Sequence, residues 1–132
     1  MNIKSSKELV YEANRTIKVM SSAEVKSAYE KGDITLIDVR DVRELWKEGA
    51  IKNSIHIPRG MLEFWLDPQS SYYQEKKIGD MKNIVLYCAL GFRSALATKA
   101  LKEMGFQNVA NVDGGFESLK NIGLPVVKKE RK

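Results

Sequence analysis

The chain has 132 residues, which is enough for one globular domain with a hydrophobic core and too few for two domains of typical size. Hydrophobic residues make up 43% and charged residues 30% of the sequence, which excludes the disordered, collagen-like and disulfide-scaffold classes. The 22 basic residues exceed the 17 acidic ones by a net charge of +5, but they are dispersed among acidic residues, so we expect no nucleic-acid partner.

Neither a membrane segment nor a metal site is indicated by the sequence. No apolar run reaches the length of a membrane helix, and residues 1–20 lack the features of a signal peptide, so we expect a cytoplasmic protein with no membrane partner. The single cysteine, Cys88, excludes an internal disulfide and a CxxC motif. The single histidine, His56, excludes a multi-histidine metal site.

The first third of the chain predicts two helices followed by a strand. A weak amphipathic pattern around residues 9–13 is compatible with one helix. Ser21 and Glu24 form the pattern of a capping box, which predicts a helix that starts there and stops at Gly32. Residues 34–39 are β-branched and almost entirely apolar, which is typical of a strand buried on both faces.

The middle of the chain predicts short elements. A helix is expected over residues 40–47 with a stop at Gly49, and a short strand over 54–58 that ends at a proline. Residues 61–66 suggest a short apolar helix. Residues 67–80 are polar, and we interpret them as an excursion over the surface of the same domain.

The last third of the chain has the clearest pattern. Residues 83–88 predict a buried strand, 89–93 a tight loop that contains a glycine, and Ser94 the start of a helix with a regular apolar face. Another short strand is expected over 109–112 and a helix over 116–121.

This alternation of helices with short apolar strands predicts an α/β domain whose mostly parallel sheet is covered on both faces. In such sheets, ligands bind beyond the carboxyl ends of the strands. Three of the predicted strands end at Asp38, Cys88 and Asp113, so we expect these side chains at the same edge of the sheet.

The surroundings of Cys88 predict a reactive cysteine. A loop that wraps around the sulfur can direct consecutive backbone N–H groups at it, and the first turn of the next helix adds unpaired N–H groups. Gly91 permits the positive φ that closes such a loop, and Arg93 adds a positive charge. All these features favour the thiolate and lower the cysteine pKa. The alternative is that Cys88 is only a small buried core residue.

Three blocks of sequence, in order along the chain, resemble those of a known family. The first is LIDVR at 36–40, with ELW at 44–46 and GAIKNSIHIP at 49–58. The second is VLYC with its loop, at 85–94. The third is VDGGF at 112–116 with GLP at 123–125.

On these blocks, residues 16–126 resemble the single-domain rhodaneses, which are thiosulfate sulfurtransferases. Ala50, Asn53 and Leu119 depart from the histidine, glycine and tryptophan usual in the family, and we interpret these departures as structural. The resemblance implies a three-layer α/β/α domain with a central, mostly parallel five-stranded sheet.

The resemblance also divides the chain and assigns site residues. It implies an N-terminal extension over 1–15, a rhodanese-like domain over 16–127 and a basic tail over 128–132. Cys88 is implied as the catalytic residue. The other implied site residues are Ala89, Leu90, Gly91, Phe92, Arg93 and Ser94 in the active-site loop, with Asp38, Arg40, Gly114 and Gly115 in support.

Some of these residues have specific expected roles. Arg93 is expected to hold an anionic sulfur donor or to steady the loop, and a pairing with Asp38 is compatible with either role. Asp38 itself is expected to be a structural brace. Gly114 and Gly115 are expected to let the chain turn tightly beside the loop. The segment 61–80 is longer than in the shortest family members and is expected to form part of the substrate mouth.

The implied reaction is a two-step transfer through a covalent intermediate. The Cys88 thiolate would take the outer sulfur of thiosulfate or of a persulfide donor and then pass it to cyanide, a thiol or a protein cysteine. No cofactor or metal is required.

Two alternatives remain open at this stage. The first is a rhodanese-like binding or sulfur-relay module with little activity on free thiosulfate. The second is a cysteine-dependent phosphatase of the related Cdc25 type, whose loop has the pattern Cys-x5-Arg. The loop from Cys88 to Arg93 is one residue shorter, and within the resemblance this spacing favours sulfur transfer.

Overall fold

Helices and strands alternate along the chain, as the hydrophobic pattern predicts. The computed structural model describes residues 2–78 and 81–131. The helices are α1 (Ser6–Thr16), α2 (Ser22–Glu30), α3 (Val42–Glu48), α4 (Leu62–Leu66), α5 (Glu75–Ile78), α6 (Phe92–Glu103) and α7 (Gly115–Asn121), with a 3₁₀ turn at Arg59–Met61. The strands are β1 (Lys18–Met20), β2 (Thr35–Asp38), β3 (Ala50–Ile51), β4 (Ile55–His56), β5 (Ile84–Tyr87), β6 (Val109–Val112) and β7 (Val126–Val127).

The central sheet has five strands in the order β1-β6-β5-β2-β4, and every neighbouring pair is parallel. This confirms the predicted α/β class and the five-stranded sheet. Because the strands are parallel, their carboxyl ends lie at one edge, which carries Asp38, Cys88 and Asp113. We call this the carboxyl edge.

Helices cover both faces of the sheet, which gives the three layers that were expected. On one face, Leu62 of α4 and Leu101 of α6 pack against β2 and β5. On the other face, Val25 of α2 and Phe116 of α7 pack against β5 and β6. Helix α1 packs against α6 and buries Ala13.

Three short strands were not predicted from the sequence. β1 lies at the sheet edge beside β6, while β3 and β7 form a separate antiparallel ribbon. These three strands have two or three residues and show no alternating pattern, whereas the equally short β4 lies within the predicted strand over 54–58, which ends at a proline.

Helices α3 and α6 begin two residues away from their predicted starts. Helix α3 begins at Val42 because the Asp41 carboxylate accepts the N–H of Arg43 at 2.9 Å and caps the helix. Helix α6 begins at Phe92, two residues before the predicted start at Ser94. Its first turn is therefore part of the loop that follows Cys88.

Two residues of the segment that follows α4, Pro68 and Tyr73, lie away from the mouth above Cys88. Pro68 and Tyr73 line an open groove of about 460 Å³ together with Ile84 and Val109, the first residues of β5 and β6. That groove lies at the amino ends of the strands, opposite the carboxyl edge. The expectation of a substrate mouth is thus wrong for this part of the segment; residues 79 and 80 lie outside the described residues.

No helix within residues 2–78 and 81–131 has the length and apolar character needed to cross a bilayer.

Candidate active site

Cys88 follows the last residue of β5 and lies in a cradle of hydrogen-bond donors. Its sulfur accepts the backbone N–H of Gly91 at 3.1 Å and that of Ser94 at 3.4 Å. The Ser94 hydroxyl lies 3.3 Å from the same sulfur. The residue is only 1% exposed, so these groups replace the water that would otherwise solvate the sulfur.

Two opposing effects act on the Cys88 thiol. Burial raises its pKa, because a charged sulfur loses its hydration. The Ser94 hydroxyl and the N–H groups of Ser94, Gly91 and Leu90 lower it, because they stabilise the thiolate. The hydrogen bonds prevail, and the pKa lies below the ordinary value for cysteine.

The loop conformation depends on two glycines. Gly91 has φ of +105° and precedes the first residue of α6. Gly115 has φ of +57°, and a Cβ atom at this position would lie 2.5 Å from the carbonyl oxygen of Cys88. This close approach lets Phe116 and Glu117 donate their N–H groups to the carbonyls of Cys88 and Ala89, at 2.7 and 3.3 Å. The start of α7 therefore holds the start of the loop that follows Cys88.

Arg93 pairs with Glu44 and not with Asp38. The guanidinium donates to both carboxylate oxygens of Glu44, at 2.9 and 3.1 Å. The hydrogen bond with Glu44 also raises the pKa of Arg93. The expected pairing with Asp38 is thus wrong, because a neighbouring helix supplies a carboxylate at the surface. Glu44 belongs to the first of the three sequence blocks but was not assigned to the site, since a contact across 49 residues depends on how α3 and α6 pack.

Asp38 and Arg40 form a buried ion pair. The carboxylate accepts Arg40 Nε at 3.0 Å and Nη2 at 2.7 Å. Nη2 also donates to the carbonyl of Gly49 at 2.7 Å, and the guanidinium lies 4.2 Å from the centre of the Phe116 ring. These contacts connect β2, the end of α3 and the start of α7. Asp38 is therefore placed to brace the carboxyl edge.

Other polar residues at this edge make structural contacts. His56 hydrogen-bonds through Nε2 to the carbonyl of Arg40 at 2.7 Å, which assigns the proton to Nε2 because a carbonyl can only accept. The carbonyl of Asp113 accepts the Ser118 hydroxyl at 2.7 Å, in the turn formed by Gly114. Within the described residues, no cluster of histidine, cysteine and acidic side chains could hold a metal ion.

The rim beside Cys88 is apolar. Leu90 is 54% exposed and Phe92 is 60% exposed. An open groove of about 560 Å³ continues from this rim between α1 and α6. Its lining residues are Ser6, Lys7, Val10, Phe92, Arg93 and Leu96.

Asn111 is a second site residue that the sequence did not identify. It lies in β6 and is 1% exposed, and its Oδ1 accepts the Ser94 hydroxyl at 2.6 Å. A single asparagine within an apolar strand belongs to no recognisable motif, so only the folded structure connects it to Cys88.

Sequence comparison matches this chain to a part of some proteins and to most of another. The chain spans about a third of the length of the first curated relatives it matches, the tRNA uridine(34) hydroxylases of Cronobacter sakazakii and Photorhabdus laumondii. It is 32% identical over 103 residues to the thiosulfate sulfurtransferase GlpE of Coxiella burnetii, an alignment that covers 78% of this chain and 87% of GlpE.

Two solved structures cover nearly the whole chain. A protein of unknown function from Rhodopseudomonas palustris, described as a possible tyrosine phosphatase, superposes with a TM-score of 0.89 and 38% identity over 96% of this chain and 97% of that one. The polysulfide-sulfur transferase of Wolinella succinogenes gives a TM-score of 0.69 and 34% identity, and the match covers 93% of this chain and 87% of that one. The family model "Rhodanese-like domain" matches residues 21–122, which is most of the chain, and the protein therefore belongs to the rhodanese-like domain family.

Proposed function

We propose that this protein is a sulfurtransferase that carries a sulfane sulfur as a persulfide on Cys88. The cradle of N–H and hydroxyl donors around the Cys88 sulfur is the observation that carries the proposal. It favours an anionic sulfur, which is the form required of both a thiolate nucleophile and a persulfide. The names of two relatives, a thiosulfate sulfurtransferase and a polysulfide-sulfur transferase, support the same chemistry.

In the first step, an electron pair of the Cys88 thiolate attacks the outer sulfur of thiosulfate. A new S–S bond forms, and the S–S bond of thiosulfate breaks. Sulfite leaves with that bonding pair, and Cys88 becomes a persulfide. A persulfide donor would react in the same way with a thiolate as the leaving group, and an inorganic polysulfide with a polysulfide anion one sulfur shorter as the leaving group.

In the second step, cyanide or an acceptor thiolate attacks the outer sulfur of the Cys88 persulfide. The bond within the persulfide breaks, and Cys88 recovers its electron pair as a thiolate. The N–H groups of Gly91 and Ser94 stabilise the anionic sulfur on both sides of this exchange. The reaction balances without an external oxidant or cofactor.

A sulfur-relay role, with a protein cysteine as the acceptor, is the second candidate. It is favoured by the exposed side chains of Leu90 and Phe92, which form an apolar rim beside the sulfur. Such a rim offers contact area to a protein surface, whereas cyanide cannot use it.

The mass of the intact protein after incubation with thiosulfate tests the proposal. We expect the wild-type protein to gain one sulfur atom, roughly 32 Da, and to lose it on addition of cyanide. The Cys88→Ser variant should gain nothing, because it is the control without the thiol. Inorganic polysulfide should load the protein in the same way.

Other results would separate the alternatives. Loading by polysulfide but not by thiosulfate, followed by transfer to a protein cysteine, would favour the relay role. If neither donor loads a reduced and alkylatable Cys88, the proposal is wrong. Hydrolysis of an aryl phosphate that is lost in Cys88→Ser would instead support a phosphatase.

A further inference from the structure

Asn111 is a buried polar side chain in an otherwise apolar strand. Its neighbours in β6 are Val109, Ala110 and Val112, and all four residues are buried. A carboxamide removed from water loses free energy unless its donors and acceptor find partners. The hydrogen-bond partners of Asn111 therefore offset the free-energy cost of burying its carboxamide.

These partners belong to the loop that surrounds the Cys88 sulfur. Asn111 Nδ2 donates to the carbonyl of Gly91 at 3.2 Å, and Oδ1 accepts the Ser94 hydroxyl at 2.6 Å. A weaker contact of 3.5 Å joins Nδ2 to Asn14 of α1. Gly91 and Ser94 are the same two residues whose N–H groups donate to the Cys88 sulfur.

We propose that Asn111 is a positioning residue, whose carboxamide holds Gly91 and Ser94 where they donate hydrogen bonds to the Cys88 sulfur. It touches neither the sulfur nor a bound substrate, and it acts through the two residues that do surround the sulfur. As a role in sulfur transfer, this inference rests on the proposed function. As a statement about the thiol, it is independent of that function.

The orientation of the carboxamide is determined by the chemistry of its partners. The carbonyl of Gly91 can only accept, so the amide nitrogen must face it. Oδ1 then faces Ser94, whose hydroxyl can donate. The Ser94 hydroxyl has one proton, and two acceptors are within reach of it: Oδ1 of Asn111 and the Cys88 sulfur, which lies 3.3 Å from the hydroxyl oxygen. The strand thus limits both the position and the rotation of this hydroxyl.

The Asn111→Leu variant tests the proposal, because leucine keeps the branched shape and removes the hydrogen bonds. The readout is the rate of Cys88 alkylation by iodoacetamide as a function of pH, followed by mass. Cys88 is the single cysteine in the sequence, so every alkylated product reports on it. We expect the pH midpoint to rise and the rate at neutral pH to fall about three- to tenfold.

Thr98→Val is the matched control. Thr98 is buried in α6, and its hydroxyl donates to the carbonyl of Ser94 at 2.7 Å, but it makes no hydrogen bond to Gly91 or to the sulfur. Its replacement removes a buried polar group from the same core. We expect the midpoint of alkylation to stay at the wild-type value.

The charged groups around the loop remain unchanged in both variants, so a shifted midpoint cannot come from an altered charge. These groups are Arg93 and its partner Glu44, the pair of Asp38 and Arg40, Asp41, Arg43, Lys47 and Glu48 beside Ala89, Lys7 of α1, and Asp113 and Glu117 near α7.

Two results would overturn the proposal. An unchanged midpoint in Asn111→Leu would make Asn111 a core residue without effect on the thiol. A lowered midpoint would mean that Asn111 mainly competes with the sulfur for the Ser94 proton. If the leucine variant does not fold, Asn111→Ala removes the same carboxamide without adding volume and gives the same comparison. Because alkylation requires no sulfur donor, these outcomes are separate from a failure of the proposed function.

Discussion

Arg93 is five residues from Cys88, yet its charge is directed at Glu44. The two N–H···O contacts of 2.9 and 3.1 Å are parallel, a geometry that neutralises the guanidinium at short range. Both side chains are partly exposed, so water and salt weaken the pair and leave it able to open. An anionic donor at the Cys88 loop, as the proposed function requires, would therefore compete with Glu44 for this arginine.

The Glu44→Gln variant should improve the use of thiosulfate. With the carboxylate removed, Arg93 is free to attract the dianion, and we expect KM for thiosulfate to fall. A partly exposed ion pair is worth about 0.2–1 kcal/mol, which limits the fall to about fivefold. Steady-state kinetics with cyanide as the acceptor measures this change.

Glu48→Gln is the control for this prediction. Glu48 is an exposed acid at the end of the same helix, α3, so its replacement changes the net charge equally without releasing Arg93. Equal KM values in the two variants would show that the pair does not restrict the donor.

At the scale of single residues, the sequence predicts contacts between neighbours in the chain, but it does not predict contacts between residues that only folding brings together. The position of Cys88 at a strand end, with Gly91 and a helix after it, lies within a few residues, so the local sequence alone indicates a cradle. Glu44 and Asn111 reach the loop from 49 and 17 residues away. Their roles depend on which helix and strand pack beside the loop, and no local pattern contains that information.

At the scale of elements, the contact between α7 and the loop that follows Cys88 depends on Gly115. The positive φ of this residue and the 2.5 Å approach to the Cys88 carbonyl leave no room for a side chain. The obstacle is backbone, which cannot move aside as a flexible side chain could. The position of helix α7 therefore fixes the position of the loop.

The Gly115→Ala variant should lose both stability and activity. The positive φ alone costs about 1–2 kcal/mol, and the clash with Cys88 adds to this cost or displaces the loop. We expect a lower urea midpoint and slower loading of Cys88 from thiosulfate.

Gly32→Ala separates the two causes of that loss. Gly32 also has a positive φ, of +72°, but a Cβ atom there meets no other atom within 4 Å. It should lose stability through the backbone alone and keep its activity. Similar losses of activity in both variants would contradict the role of Gly115 beside the loop.

Element prediction succeeded where the pattern was long enough. The four-residue strands β2, β5 and β6 and the capped helix α2 follow from buried runs and from a capping box that the structure confirms. The ribbon of β3 and β7 joins residues far apart in sequence and has only two residues in each strand. The ribbon forms only when folding brings these residues together, and no local sequence pattern predicts it.

At the scale of the whole molecule, the buried pair of Asp38 and Arg40 connects three parts of the fold. Both side chains are almost completely buried, and the guanidinium also contacts Gly49 and Phe116. A buried ion pair adds little net stability compared with apolar residues, but the loss of one partner leaves a charge without compensation.

The Asp38→Asn variant should therefore be strongly destabilised, by about 3–5 kcal/mol in urea unfolding. Glu103→Gln is the control, since it breaks the exposed pair of Glu103 and Lys99 on α6 and should leave the unfolding midpoint nearly unchanged. A small effect of Asp38→Asn would mean that water or another group compensates the charge of Arg40.

The edge strand β1 affects whether two copies of this protein can pair through the edges of their sheets. The match to the family begins at residue 21, directly after β1, whose three residues cover the outer side of β6. Without β1, the N–H and C=O groups of a strand with four buried residues would lie open, ready to pair with the same strand of another molecule. β1 is short and carries the exposed Lys18, two features that discourage such pairing. The three residues of β1 thus shield the edge of the sheet from pairing with a second molecule.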